Sequence, residues 1–142
     1  MRKVFVDTSA FVALRNRAER EHEAARAALG RLVAERTPLF TSNYVFAETY
    51  TALLIRLGRS EAIEWGARFR ASVAIELIRI EEPVDEEAWS ILESHADQPC
   101  SYVDASSFAL MEHEGTAEAL AFDRHFAQRG LTLPATHFRG GR

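Results

Sequence analysis

Lys3-Val4-Phe5-Val6-Asp7-Thr8-Ser9 is the stretch on which the reading of this 142-residue chain turns. Val4, Phe5 and Val6 form a short β-branched and aromatic run, which reads as a buried strand. The next three residues carry side-chain oxygens that can accept from the free N–H groups opening a helix, so the strand runs straight into a helix N-terminus. A short helix is expected from Ser9 to about Asn16. The same hand-over recurs downstream, where Leu39 to Thr41 reads as a strand and Ser42 as the N-cap of a helix over Val45 to Leu57, closed by Gly58.

The segments between follow the same logic. Glu19 to Arg36 places Ala24, Ala25, Ala28, Leu29 and Leu32 on one face of an amphipathic helix, and Thr37-Pro38 ends it. Ser60 is expected to cap a further helix running to about Ala71. Val73 to Ile80, with alternating Val73, Ile75 and Leu77, reads as a third strand bounded by Glu81-Glu82-Pro83. Pro83 to Ala96 reads as a helix. Ser101 caps another over Tyr102 to Glu114, and Gly115 stops it. Ala117 to Phe122 is expected as a strand, Asp123 to Gln128 as one helical turn, and Leu131 to Leu133 as a last edge strand. Strands separated by helices imply crossovers, and therefore an α/β fold with a short, mostly parallel sheet of four to five strands and helices on both faces. With no repeat or linker in view, residues 1–142 are expected to form one domain.

Composition narrows the function classes. No apolar run approaches the roughly 18 residues needed to span a bilayer, and Asp7 interrupts the first apolar run, so a cytoplasmic protein without a membrane segment is expected. The single cysteine, Cys100, leaves no internal disulfide. A net charge of −4 argues against broad electrostatic coating of nucleic acid, yet allows a local basic patch. Lys3 is the sole lysine, and the other basic residues are arginines, whose planar fork suits phosphate. Arg15, Arg17, Arg20, Arg26 and Arg31 read either as a rim for an RNA backbone or as an ordinary solvated helix face. Trp65 with Phe69, and Trp89 with Leu92, read as core or interface aromatics.

Four acids are less easily set aside. Asp7 and Asp123 follow the first and fourth strands, at the carboxyl edge where open parallel sheets bind ligands. Glu48 falls in mid-helix among apolar Val45, Ala52 and Ile55, with no basic residue three or four positions away. Asp104 precedes Phe108 and Met111 on one helical face. Each aspartate also has a plain reading: Asp7 and Asp123 as N-caps, Asp104 as part of a Ser101-x-x-Asp104 capping box. Gathered together, the carboxylates would repel one another, and a divalent cation is the usual remedy. Oxygen ligands favour magnesium or manganese. The five histidines, at 22, 95, 113, 125 and 137, are never three or four apart, which argues against a helical zinc site.

Four stretches carry a resemblance: Val4-Phe5-Val6-Asp7-Thr8-Ser9-Ala10-Phe11, Ser42 to Glu48, Tyr102-Val103-Asp104-Ala105-Ser106, and Ala121-Phe122-Asp123-Arg124-His125-Phe126. In order and spacing they are similar to PIN domains, and within these to the VapC-like toxins of toxin–antitoxin pairs. The resemblance covers nearly the whole chain. It implies a PIN-like three-layer sandwich and an Mg2+- or Mn2+-dependent ribonuclease in which Asp7, Glu48, Asp104 and Asp123 line one pocket. Thr8 or Ser9 would contact substrate or water; apart from the resemblance, Arg124, adjacent to Asp123, is the better candidate for a phosphate contact than the arginines between 15 and 31. The resemblance further implies RNA as substrate, water as the nucleophile, a homodimer, and a small antitoxin whose tail occupies the acidic pocket; apolar helix faces between Ser42 and Ala71 are the expected place for these contacts. Ala121 departs from the family pattern, which favours threonine or serine there. Among rival readings, a haloacid-dehalogenase-type phosphatase needs an aspartate where Ser9 stands, and a receiver domain needs a late lysine. The remaining alternative is a catalytically silent PIN-like module that binds RNA or protein, which has no need of a cation.

Overall fold

The sheet is built around Val4–Val6 (β1). The computed structural model describes residues 2–95 and 99–128, and its four strands are β1, Leu39–Ser42 (β2), Glu76–Ile78 (β3) and Ala119–Leu120 (β4). Their order is β3-β2-β1-β4, with every pairing parallel. Phe5 registers with Phe40 on one side and Ala119 on the other, so β1 is central. Every residue of β1 and β2 is buried. Such burial on both faces is what helical crossovers on a parallel sheet produce. The class is α/β, with a short parallel sheet flanked by helices, as expected.

The helices are Thr8–Arg15 (α1), His22–Ala34 (α2), Asn43–Leu57 (α3), Arg59–Ala71 (α4), Glu82–Ser94 (α5), Tyr102–Glu114 (α6) and Arg124–Gln128 (α7). Several boundaries differ from the sequence reading, each for a local reason. The second helix begins at His22 rather than Glu19, because Glu19 N donates to Asn16 O and His22 N to Glu19 O, turn hydrogen bonds three residues back in place of helical ones. Ser60 does not cap α4. Gly58 both ends α3, donating to Leu54 O, and precedes Arg59, at φ +96°, a conformation that glycine alone adopts readily. The third strand shrinks to three residues: it lies at a sheet edge, and Val73 is 97% exposed, so alternation there reflects no buried face. The strand expected over Ala117 to Phe122 pairs only at Ala119–Leu120. Leu131 to Leu133 lies outside the described residues.

Two aromatic groups organise the core. Phe5 packs edge-on against Phe40 and stacks with Phe126, which in turn meets Phe108 edge-on. Phe11, Phe46, Trp65 and Phe69 form the second. Trp65 is therefore a core residue, while Trp89 is 52% exposed and is not. Asp85, in the first turn of α5, accepts from the hydroxyls of Tyr44 (3.1 Å) and Tyr102 (2.7 Å), tying α5 to the starts of α3 and α6. Among the described residues no helix is long and apolar enough to cross a membrane.

Candidate metal centre at the carboxyl edge of the sheet

From β1 the chain passes to one side of the sheet through β2 and β3, then returns to the other side as β4. The strand order therefore diverges at the β1–β4 boundary, where open sheets leave a crevice at their carboxyl ends. A cavity of about 450 Å³ lies there. Asp7, Glu48, Asp104 and Asp123 all line it, as do Thr8 and Ser9. All four acids expected from the sequence thus line one cavity, from the end of β1, α3, α6 and the residues after β4, although the group of ligand atoms within 4.8 Å of one another takes in Asp104 and Asp123 and neither Asp7 nor Glu48.

The plain readings of the aspartates hold for Asp7 and Asp123 and in part for Asp104. Asp7 caps α1, with Oδ2 accepting from Ser9 N (3.1 Å) and from Ser9 Oγ (2.7 Å). Its Oδ1 is buried without a hydrogen-bond partner. Asp123 Oδ1 accepts from His125 N at 2.9 Å and so caps α7. Ser101 Oγ accepts from Asp104 N at 3.0 Å, but Asp104 Oδ2 turns to His125 Nδ1 at 2.9 Å, so only half of the expected capping box forms. Glu48 is half-buried beside a stripe made by Val45, Thr49 and Leu53; Ile55, expected on that stripe, is 77% exposed. No ion pair to Glu48 is present among the described residues.

Ser9 joins the two halves of the site. Its hydroxyl donates to Asp7 and accepts from Phe122 N at 2.8 Å, bridging residues 113 apart in the chain. That proton is committed internally. Thr8 Oγ1 accepts from Thr49 at 3.3 Å, which leaves its own proton for a group in the cavity. Arg124 is exposed and does not line the cavity, whereas Arg56 does, with Nε 3.9 Å from Glu19 Oε2. Arg15 is held by Glu61 and Glu64, each at 2.7 Å, and Arg17 and Arg26 line a separate, larger cavity of about 1180 Å³. None of the five arginines expected as a rim is among the residues that line the acidic cavity.

Burial and like charge set the electrostatics. Asp7 is pushed up to about 7, first by desolvation, against the hydrogen bonds from Ser9, with Asp104 and Glu48 adding repulsion. Asp104 is raised to about 6 by desolvation and by Asp123, opposed by His125. An orphaned buried carboxylate oxygen beside three more acids is a donor set that a hard divalent cation satisfies. His125 was missed by sequence reasoning as a member of this set. Oxygens of Asp104 and Asp123 and a ring nitrogen of His125 lie within 4.8 Å of one another. Its only local signal was its place two residues after Asp123.

A cation binding here would have to displace protons, so its affinity would depend on pH. Binding of Mn2+, measured by titration calorimetry, is expected to strengthen at least about tenfold from pH 5.5 to pH 8, as Asp104 and then Asp7 lose their protons. A flat profile would place the ion elsewhere.

The family model of the PIN domain matches residues 4–130, and the chain belongs to the PIN-domain family. Two curated relatives, both the "23S rRNA-specific endonuclease VapC20" of Mycobacterium tuberculosis, strains CDC 1551 / Oshkosh and ATCC 25618 / H37Rv, are each 38% identical over 129 residues. The match covers 90% of this chain and 95% of each relative. The crystal structure of Mycobacterium tuberculosis VapC20, a "Sarcin-Ricin loop cleaving toxin", superposes with a TM-score of 0.82 at 36% identity, over 92% of this chain and 97% of that one. The resemblance to VapC-like toxins carried by the four acidic stretches is borne out.

Proposed function

We propose that this chain, acting as a single PIN domain over residues 1–142, is a cation-dependent endoribonuclease and the toxin of a VapBC-type toxin–antitoxin pair in the cytoplasm. The observation that carries the reading is the convergence of Asp7, Glu48, Asp104 and Asp123 on one cavity, with a buried Asp7 oxygen left unpartnered. Asp7, Glu48, Asp104 and Asp123 are the residues that hold Mg2+ or Mn2+. The ion, when bound, offsets charge developing on the phosphoryl group and makes water a better nucleophile. Ser9 keeps the Asp7 carboxylate oriented and pinned to the β4 end, and Thr8 offers a hydroxyl proton to substrate or water. The likeness to a 23S rRNA-specific endonuclease makes 23S rRNA the first substrate to try.

The test is incubation of purified, antitoxin-free protein with ribosomal RNA in Mg2+ or Mn2+, against EDTA. Discrete cation-dependent cuts are expected. Absence of cutting under any cation would favour a silent binding module.

RNA must reach an acidic cavity, and Arg56 is the one arginine lining it among the described residues. Arg56→Ala is expected to weaken RNA binding several-fold and to reduce the salt slope by about 0.7, the share of one phosphate contact on a single strand. Arg124→Ala, removing an exposed side chain beside Asp123, is expected to weaken RNA binding while leaving cation binding intact. Fluorescence anisotropy across a salt series distinguishes the two sites; an unchanged affinity at low salt for either variant removes that residue from the RNA path. Leu54, Ile55 and Ile63, exposed on α3 and α4, mark where a second copy and the antitoxin would dock.

A further inference from the structure

His125 stands where a cation between Asp104 and Asp123 would find a third donor. Its Nδ1 is 2.9 Å from Asp104 Oδ2 and 3.2 Å from Asp123 Oδ1. Ligands adjacent to each other on one ion, at about 2.1 Å each, lie about 3.0 Å apart, so these spacings already match an edge of a coordination sphere. An ionised carboxylate only accepts hydrogen bonds, and of the two contacts only that to Asp104 has hydrogen-bond geometry, so Asp123 Oδ1 lies beside the ring nitrogen without a bond from it. A cation between them would engage all three groups. The site does not rest on this cluster alone, because the buried Oδ1 of Asp7 in the same cavity also lacks a partner.

The ring is held in place from both directions. His125 N donates to Asp123 Oδ1, fixing the carboxylate relative to the start of α7. The next residue, Phe126, is fully buried against Phe5 and Phe108, which anchors the turn that carries the ring. The ring is partly exposed, at 29%, so it can meet an arriving ion without the core opening.

We propose that His125 binds the divalent cation directly through Nδ1, alongside Asp104 and Asp123, giving the centre a nitrogen donor and a preference for Mn2+ over Mg2+. This rests on the cation-dependent reading above and deepens it. Mg2+ is a hard ion that takes oxygen and gains little from imidazole, whereas ring nitrogen suits transition-metal ions. A site of four carboxylates alone would have no such bias.

The test is pulsed electron paramagnetic resonance of Mn2+-loaded, untagged protein with 15N-labelled histidine, with cation titrations of the wild type, His125→Ala and His125→Gln. A nitrogen coupling is expected in the wild type and absent in His125→Ala. Loss of the ligand is expected to lower Mn2+ affinity at least about tenfold, with Mg2+ affinity changing less than about threefold. His125→Gln keeps a side-chain donor for the carboxylates, and is expected not to restore the Mn2+ preference. Mn2+ bound without nitrogen coupling, or a wild-type Mn2+ to Mg2+ ratio in His125→Gln, would overturn the proposal and leave the cation-dependent reading standing. Failure of the wild type to bind Mn2+ at all, or binding indifferent to Asp7→Asn, would overturn both.

Discussion

Asp7→Asn is expected to reduce RNA cleavage at least about 1000-fold, equivalent to about 4 kcal/mol of transition-state stabilisation, while making the metal-free protein more stable at pH 8. The two effects share one cause. Asp7 is buried, caps α1 through Oδ2 and leaves Oδ1 without a partner. Asparagine retains an oxygen to accept from Ser9 and removes the charge. The folded-state pKa of Asp7, about 7, lies above its ordinary value of 3.8, so the folded chain holds this proton more tightly than the unfolded chain. Its contribution to stability is therefore complete below about pH 3.8 and is lost as pH rises to about 7. Above that window the metal-free protein carries the whole penalty of a buried, repelled carboxylate. Thermal melts without cation at pH 8 should place Asp7→Asn on the order of 5 °C above the wild type, a difference that shrinks at pH 5. Added Mn2+ should stabilise the wild type and leave the variant nearly unmoved. A variant that melts lower than the wild type at pH 8 would mean that Asp7 is chiefly a structural cap.

Phe126→Ala should produce the largest loss of stability, about 3–5 kcal/mol, from a total expected to be about 5–15 kcal/mol. The side chain is fully buried, stacked on Phe5 with centroids 6.3 Å apart and edge-on to Phe108 at 5.0 Å. Its removal leaves a cavity under a five-residue helix, and so short a helix is not stable without packing. Asp123 and His125 ride on that helix start, so loss of packing reaches the site. Melting is expected to fall on the order of 10 °C, and Mn2+ affinity to fall with it even at temperatures where the variant is folded. Phe126→Leu, which keeps most of the volume, should retain most of both. Unchanged Mn2+ affinity in folded Phe126→Ala would show that Asp123 and His125 are positioned without the aromatic anchor.

Much of the fold was legible in the residues themselves. Val4–Val6 with Asp7 and Leu39–Thr41 with Ser42 announce strand-to-helix passages because caps and apolar runs act over three or four residues. Ser42 and Ser101 do accept from Val45 N and Asp104 N, and Gly115 does close α6 in the left-handed conformation. The four acids were legible for a related reason: a carboxylate at a strand end or on a half-buried helix face violates the apolar pattern around it, and the violation is visible in one dimension. Edge strands gave weaker signals. Among the described residues Glu76–Ile78 has a sheet neighbour on one side only, so its length follows from pairing with Phe40, Thr41 and Ser42 rather than from its own alternation.

What only the tertiary structure decided are the relations between residues far apart in the chain. Ser9 read as a possible substrate contact, and its hydroxyl is instead spent between Asp7 and Phe122 N. Arg15 read as a rim cation, and Glu61 and Glu64 claim it. Arg124 is close to Asp123 in sequence and stays outside the cavity, whereas Arg56, eight residues beyond Glu48, enters its lining. His125 acquires its place through Asp104, 21 residues earlier, and no spacing rule within one helix could have paired them. Caps, turns and hydrophobic period are short-range, and a sequence states them directly; hydrogen bonds and charge pairs across elements depend on which surfaces packing brings together, and that is settled only when the chain has folded.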